Sequence, residues 1–251
     1  MGRILTLPIA PFGAGPGSRS RKLGLPPGTL VYTGHERGRA TRITVITYGP
    51  GGHTEQEVAT VAEALGHRVR PGVTWINVEG LEDTGVIQEL GDHFRIDPLL
   101  LEDLLHVGQR PKLELRPEYL FLVLRMFTVQ RGTEEASFEQ VSFILGGDFL
   151  LTFQEGAEGD VFDPIRARIR DGRGTIRARG ADYLMYALMD TIVDNYFLVL
   201  ERMSERLTQL EDLILESTTI PEVVAYLHRL RRENLVLRRA AWPLREIVGE
   251  L

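Results

Sequence analysis

Met189, Val193, Tyr196, Leu200, Met203, Leu207, Leu210 and Ile214 recur at alternating steps of four and three. Such spacing draws one apolar stripe along a helix and demands a second helix to cover it. Ser217-Thr218-Thr219 interrupts the run, and Thr219 with Glu222 has the spacing of a capping box, in which side chains satisfy the first free backbone N–H groups. Val223, Leu227, Leu230, Asn234, Leu237, Ala241, Leu244 and Val248 then resume the heptad. The pattern predicts a long helical hairpin whose second arm is kinked, but not ended, at Pro243. Asn234 within that seam reads either as an amide that pairs between copies and fixes register or as a solvated side chain. The seam is still in phase at Leu251, so the expectation is a helix that runs on beyond it.

Before about Gly180 the period is different. Residues 29–34, 41–48, 73–78, 119–129, 139–145 and 149–153 are rich in β-branched and aromatic side chains and bounded by Gly or Pro, as strands are. Thr54 with Glu57 predicts a capped helix running to about Leu65, and a second helix is expected over 84–94. Asp97-Pro98 and Asp163-Pro164 each combine an N-cap aspartate with proline at the first helical position. The last three strands follow one another through short turns such as Gly146-Gly147, which makes them antiparallel, whereas helices separate the earlier ones. The expected fold is α/β in the α+β sense: a mixed β-sheet covered by helices in an αβα arrangement, followed by an acidic helical hairpin and the start of a long helix. The corresponding division is a flexible tail over 1–22, an αβα domain over 23–176 and the hairpin with its continuing helix over 177–251.

Composition narrows the chemistry. A net charge of −6 offers no attraction to nucleic-acid phosphates or to an anionic membrane surface. The absence of cysteine removes disulfides, thiolate metal sites and cysteine nucleophiles, fits a reducing compartment, and leaves oxygen or imidazole as the ligands for any metal. The two most apolar stretches, 141–153 and 183–200, are broken by Asp148 and by Asp190 and Asp194, and fall short of the roughly 18 apolar residues of a membrane span. No P-loop, G-x-S-x-G elbow, H-E-x-x-H or dinucleotide fingerprint is present, and the six histidines lack ligand spacing. No catalytic activity is expected.

Carboxylates stand out instead. Glu102 and Asp103 interrupt the otherwise apolar Leu99-Leu100-Leu101 and Leu104-Leu105, so they must emerge at an edge of the core, either as an ordinary polar stripe or as ligands. Asp190 and Asp194 are four apart on one helix face and interrupt an apolar stretch, which predicts partial burial and a partner, either a metal or Arg177 or Arg179. Glu201, Glu205 and Asp212 extend that face as a solvated acidic stripe, and hard oxygen ligands of this kind suit Mg2+ or Ca2+. The arginines at 166, 168, 170, 173, 177 and 179 are expected to pair with the acidic hairpin, phosphate binding being the alternative.

Taken in order, Gly24-Leu-Pro-Pro-Gly-Thr-Leu-Val-Tyr-Thr-Gly34, Trp75-Ile-Asn-Val, Asp97-Pro-Leu-Leu-Leu-Glu-Asp-Leu-Leu105, Gln109-Arg-Pro-Lys112, Glu139-Gln-Val-Ser, Phe153-Gln-Glu, Gly159-Asp-Val-Phe-Asp-Pro-Ile-Arg166, Ala181-Asp-Tyr-Leu, Asp190 to Tyr196 and Trp242-Pro-Leu-Arg-Glu246 resemble the CorA family from residue 24 to the end. The resemblance implies a cytoplasmic αβα domain, an acidic hairpin and a stalk helix that continues into the cell inner membrane, in a homopentameric funnel that carries Mg2+ and Co2+. It implies that Glu102, Asp103 and Asp190 match carboxylates of inter-subunit regulatory sites for Mg2+, with Co2+ or other divalent cations as substitutes, and that the carbonyl of Leu25 is a weaker match. Asp194 lies beside them by helical spacing. Loss of that Mg2+ would loosen the funnel and open the pore. The family's pore loop, Gly-Met-Asn, lies beyond Leu251, which leaves a zinc-transporting branch of the same superfamily as one alternative and a coiled-coil adaptor that binds no metal as another.

Overall fold

The computed structural model of the chain describes residues 24–34, 38–129, 136–156, 159–215 and 220–251. The expected tail over 1–22 and the helix break at Ser217-Thr218-Thr219 lie outside them. Seven strands among the described residues form one sheet: β1 (Arg42–Gly49), β2 (Gly52–Val58), β3 (Val73–Glu79), β4 (Lys112–Leu115), β5 (Leu120–Val129), β6 (Ala136–Leu145) and β7 (Phe149–Gln154). Their spatial order is β2-β1-β3-β7-β6-β5-β4. All neighbours are antiparallel except the central pair β3 and β7, which run parallel, with Thr74 opposite Phe149 and Glu79 opposite Gln154. The mixed sheet is thus a three-stranded antiparallel block, β2-β1-β3, and an antiparallel meander, β4 to β7, joined along one parallel seam.

Alternation along the strands sorts their side chains to two faces. Ile43, Val45, Ile76, Val78, Phe121, Val123, Ile144, Leu151 and Phe153 pack under helices α1 (Val61–Gly66), α2 (Thr84–Phe94) and α3 (Pro98–Leu105). Ile46, Tyr48, Trp75, Leu122, Leu124, Val141, Phe143 and Leu150 face the other way, onto α4 (Asp163–Asp171) and the first half of α5 (Ala181–Leu215). The αβα layering is therefore as expected, and the two helical layers lie on opposite faces of the sheet.

The hairpin is formed by α5 with α6 (Ile220–Ala241), and after a turn at Trp242-Pro243 the chain continues as α7 (Leu244–Glu250). Burial carries across the proline, through Leu237, Ala240, Leu244 and Ile247. The seam differs from the sequence expectation in one respect. Met189, Tyr196, Met203 and Leu210 are buried with Ile192, Val199 and Arg206, while Leu200, Leu207 and Ile214 face outward. On α6, Tyr226, Leu230 and Leu237 are buried, while Leu227, Asn234 and Ala241, with Val248 of α7, are exposed. One half of each predicted heptad thus points away from the hairpin, and Asn234 is solvated within the single chain.

Several local expectations are corrected. Thr54 and Glu57 lie in β2, and the helix begins later: Thr60 accepts from Glu63 N at 3.2 Å and Glu63 reaches back to Ala59 N at 3.1 Å. Residues 29–34 are irregular, tied to α3 by Thr33 N donating to the Leu105 carbonyl. The N-cap of α4 is Phe162, with no capping side chain, because Asp163 turns to Arg166. At the end of α2, exposed Arg95 adopts φ +53°, a left-handed conformation that glycine occupies without a Cβ penalty. Arg95→Gly is therefore expected to raise stability in urea unfolding by about 0.5–1 kcal/mol, and a loss would show that the Arg95 side chain contributes more than its backbone strain costs.

Candidate metal centre

The start of α3 is fixed by Asp97, whose carboxylate accepts from Leu99 N at 2.9 Å, and by Pro98, which needs no hydrogen-bond partner at the first turn. Leu100, Leu101, Leu104 and Leu105 are driven into the core, and Gly91 of α2 lets that face approach closely, since a Cβ there would stand 2.2 Å from Leu101 Cδ1. With four leucines buried, Glu102 and Asp103 are left half-buried at the rim.

The segment before β1 runs alongside. Pro26 to Thr29 form a turn closed by Thr29 N on the Pro26 carbonyl, and Gly28, at φ +82°, brings its N–H to 2.7 Å from Glu102 Oε2. A Cβ on Gly28 would meet Pro98 Cβ at 3.2 Å, so the close approach needs glycine for both conformation and space. Between this turn and α3 lies a pocket of about 400 Å3 lined by Leu25, Pro26, Pro27, Thr29, Leu99, Glu102 and Asp103. Three of the five predicted site residues, Leu25, Glu102 and Asp103, 78 positions apart at the extremes, thus meet in one cavity.

Asp103 Oδ2 is ion-paired with Lys112 Nζ, and the same ammonium lies 2.6 Å from Glu114 Oε1 and over the Phe121 ring. Burial works against the ammonium, but its bonds to Asp103 and Glu114 more than offset this and hold the Lys112 pKa above its ordinary value. Arg116 in turn bonds Glu114 at 3.0 Å. Lys112 has no expected role beyond its place in the Gln109-Arg-Pro-Lys112 motif, because its charge partner is nine positions away across a loop, where no helical or strand periodicity points.

Asp190 and Asp194 are not partly buried, as their apolar neighbours suggested, but exposed on α5. The 3.6-residue period places them on the outer face while Met189, Ile192 and Tyr196 take the inner one. Arg177 is not their partner: it donates to the carbonyls of Ile169 and Arg170 and meets His53 Nδ1 at 2.8 Å. The arginine cluster pairs within the αβα layers, Arg166 with Asp160 and Asp163 and Arg170 with Glu55, rather than with the acidic hairpin. Because α3 and α5 cover opposite faces of the sheet, one chain does not bring Asp190 or Asp194 to Glu102 and Asp103. Among the described residues no group of three or more His, Asp or Glu could hold a metal ion.

The donor set at the pocket nevertheless fits Mg2+. That ion takes oxygen ligands, keeps several of its waters and is commonly held by one or two carboxylates; Glu102, Asp103 and the Leu25 backbone supply such oxygens around a roomy, solvent-open cavity.

The sequence model of the CorA-like Mg2+ transporter protein matches residues 71–251, and the chain belongs to that family. It is 46% identical over 232 residues to the cobalt/magnesium transport protein CorA of Thermotoga maritima, a match covering 92% of this chain and 65% of that protein. Its fold is shared with the full-length CmaX protein, at TM-score 0.64 and 19% identity over 86% of this chain and 63% of that one. It is shared also with the soluble domain of CorA from Methanocaldococcus jannaschii, at TM-score 0.61 and 16% identity over 82% and 77% of the two chains. The chain thus spans about two thirds of its Thermotoga relative. No helix among the described residues is long and apolar enough to cross a membrane.

Proposed function

We propose that this chain is the cytoplasmic, metal-sensing part of a CorA-type transporter for Mg2+ and Co2+ at the inner membrane, with an αβα sensing domain over 23–176 and a gating hairpin and stalk over 177–251. The observation that carries the reading is the single pocket that gathers Leu25, Glu102 and Asp103. Glu102 and Asp103 would hold a regulatory Mg2+ together with Asp190 or Asp194 of a neighbouring copy, since the two carboxylate sets sit on opposite helical layers of one chain. The outward row Leu200, Leu207, Ile214, Leu227 and Val248 supplies apolar surface for packing between copies in a homopentamer. With the ion bound, repulsion between the acidic faces is cancelled and the closed assembly is favoured; with the ion lost, the population shifts toward the open one.

Thermal unfolding in chelator and in rising Mg2+ tests this. Mg2+ at ten times its Kd stabilises the folded state by about 1.4 kcal/mol, which corresponds to a midpoint rise of about 3–6 °C for a chain of this size. Asp103→Asn should lose that rise while remaining folded, since its side chain is 41% exposed and pairs only at the surface. An equal rise in both proteins would place the bound metal elsewhere, and no rise in either would remove the sensing role from this chain.

A further inference from the structure

We infer that Lys112 is a tethered competitor for the regulatory cation, a side chain that occupies Asp103 when metal is absent and sets the concentration at which the site responds. The inference rests on Asp103 being a metal ligand as proposed above. Four charges alternate along one path: Asp103, Lys112, Glu114 and Arg116. The Lys112 ammonium binds Oδ2 of Asp103, one of the two oxygens that carboxylate can offer a divalent ion. A cation arriving at Asp103 therefore meets a cation already there, and the two repel at short range whichever oxygen the ion takes.

The surroundings make that exchange feasible. Lys112 lies in the four-residue edge strand β4, paired with Val123 of β5, so its backbone is fixed and any exchange of partner runs through its long, unbranched stem. Glu114, two residues on and on the same face of the strand, already shares the ammonium and offers it a counterion once Asp103 is taken. Arg116 orients Glu114 from the far side. A lysine suits this role better than an arginine, because a compact ammonium can pivot between two single carboxylate oxygens where a planar fork would lock onto one.

The chain contains only two lysines, Lys22 and Lys112, which makes the exchange directly observable. With 13C-labelled lysine, the Lys112 Cε resonance, assigned by its loss in Lys112→Met, is expected to shift in step with MgCl2 and to stay still in Asp103→Asn. In calorimetric titration with MgCl2, Lys112→Met should bind about tenfold more tightly than the unaltered chain, equivalent to ~1.4 kcal/mol. Met keeps the length of the stem over Phe121, and an unchanged unfolding midpoint in chelator would verify that the variant is folded. Equal or weaker binding in Lys112→Met, with binding still abolished in Asp103→Asn, would overturn the competitor role and leave the metal site standing. Binding that survives in Asp103→Asn, or is absent from all variants, would instead overturn the site itself.

Discussion

Asp160→Asn is expected to lower the unfolding midpoint by about 6–20 °C at neutral pH, the largest effect of any single polar substitution in the αβα domain. Asp160 and Arg166 are 5% and 11% exposed and form a two-pronged pair, with Arg166 NH1 to Oδ1 at 2.7 Å and NH2 to Oδ2 at 2.6 Å. The same carboxylate accepts from Phe162 N and from Gln154, which continues through Asn77 and Thr152 to the Trp75 indole. Arg166 also stacks over that indole. Removing the charge strands a guanidinium in the core with only exposed Asp163 to answer it, and breaking such a pair costs about 3–5 kcal/mol.

The pH dependence follows from the same pair. Burial pushes the Asp160 carboxyl up, but the hydrogen bonds and charge of Arg166, with Phe162 N and Gln154, pull it further down, so its folded pKa lies below the ordinary carboxylate value. A depressed folded pKa stabilises fully above the unfolded value and is lost as pH falls through the folded one. The gap between the two proteins should be constant from pH 7 to 5 and shrink only below about pH 4. A gap under 1 kcal/mol at pH 7 in urea unfolding would show that the network tolerates a neutral amide.

Glu233→Ala is expected to cost about 3 kcal/mol, with the loss concentrated in the hairpin. Arg206 is buried in α5 between Met203 and Leu210 and reaches Glu233 of α6 at 2.6 Å and the Tyr226 hydroxyl at 3.3 Å. Burial works against the guanidinium, and Tyr226 and Glu233 more than offset it. Without Glu233 the charge is left inside an apolar seam. Replacing both members, Arg206→Met with Glu233→Met, should restore stability to within about 1 kcal/mol, because well-packed apolar residues commonly replace a buried ion pair without loss. Hydrogen exchange is the discriminating readout: in Glu233→Ala amide protection should fall in 204–237 and remain in the sheet. A uniform loss would show instead that hairpin and sheet unfold as one unit.

Where physical signals were local, the fold was legible. Five strands, α2 and α3 coincide with alternating or capped segments, and the αβα layering followed from them. Two strands escaped notice for identifiable reasons. β2 reads Gly-His-Thr-Glu-Gln-Glu-Val, a polar edge strand whose Thr54 and Glu57 imitate a helix start, and β4 is only four residues long. The heptad was correct in period but ambiguous in direction, since both Tyr196 and Leu200 are apolar and only the neighbouring layer decides which is inside. The pocket residues Leu25, Glu102 and Asp103 were legible through resemblance. The exposure of Asp190 and Asp194 and the ion pair of Lys112 were not, because each depends on which face another element covers.

The two ends of the sheet carry a further consequence. β2 presents Glu55 and Glu57, the former clasped by Arg170 of α4, and β4 is short and presents Lys112 and Glu114. Charged or abbreviated margins resist strand-to-strand addition, the route by which unprotected sheets aggregate. Guarded against extension on both sides, the sheet is poorly suited to being shared between copies, and the helices, with the turn over residues 25–29, are the surfaces one copy is better placed to offer another.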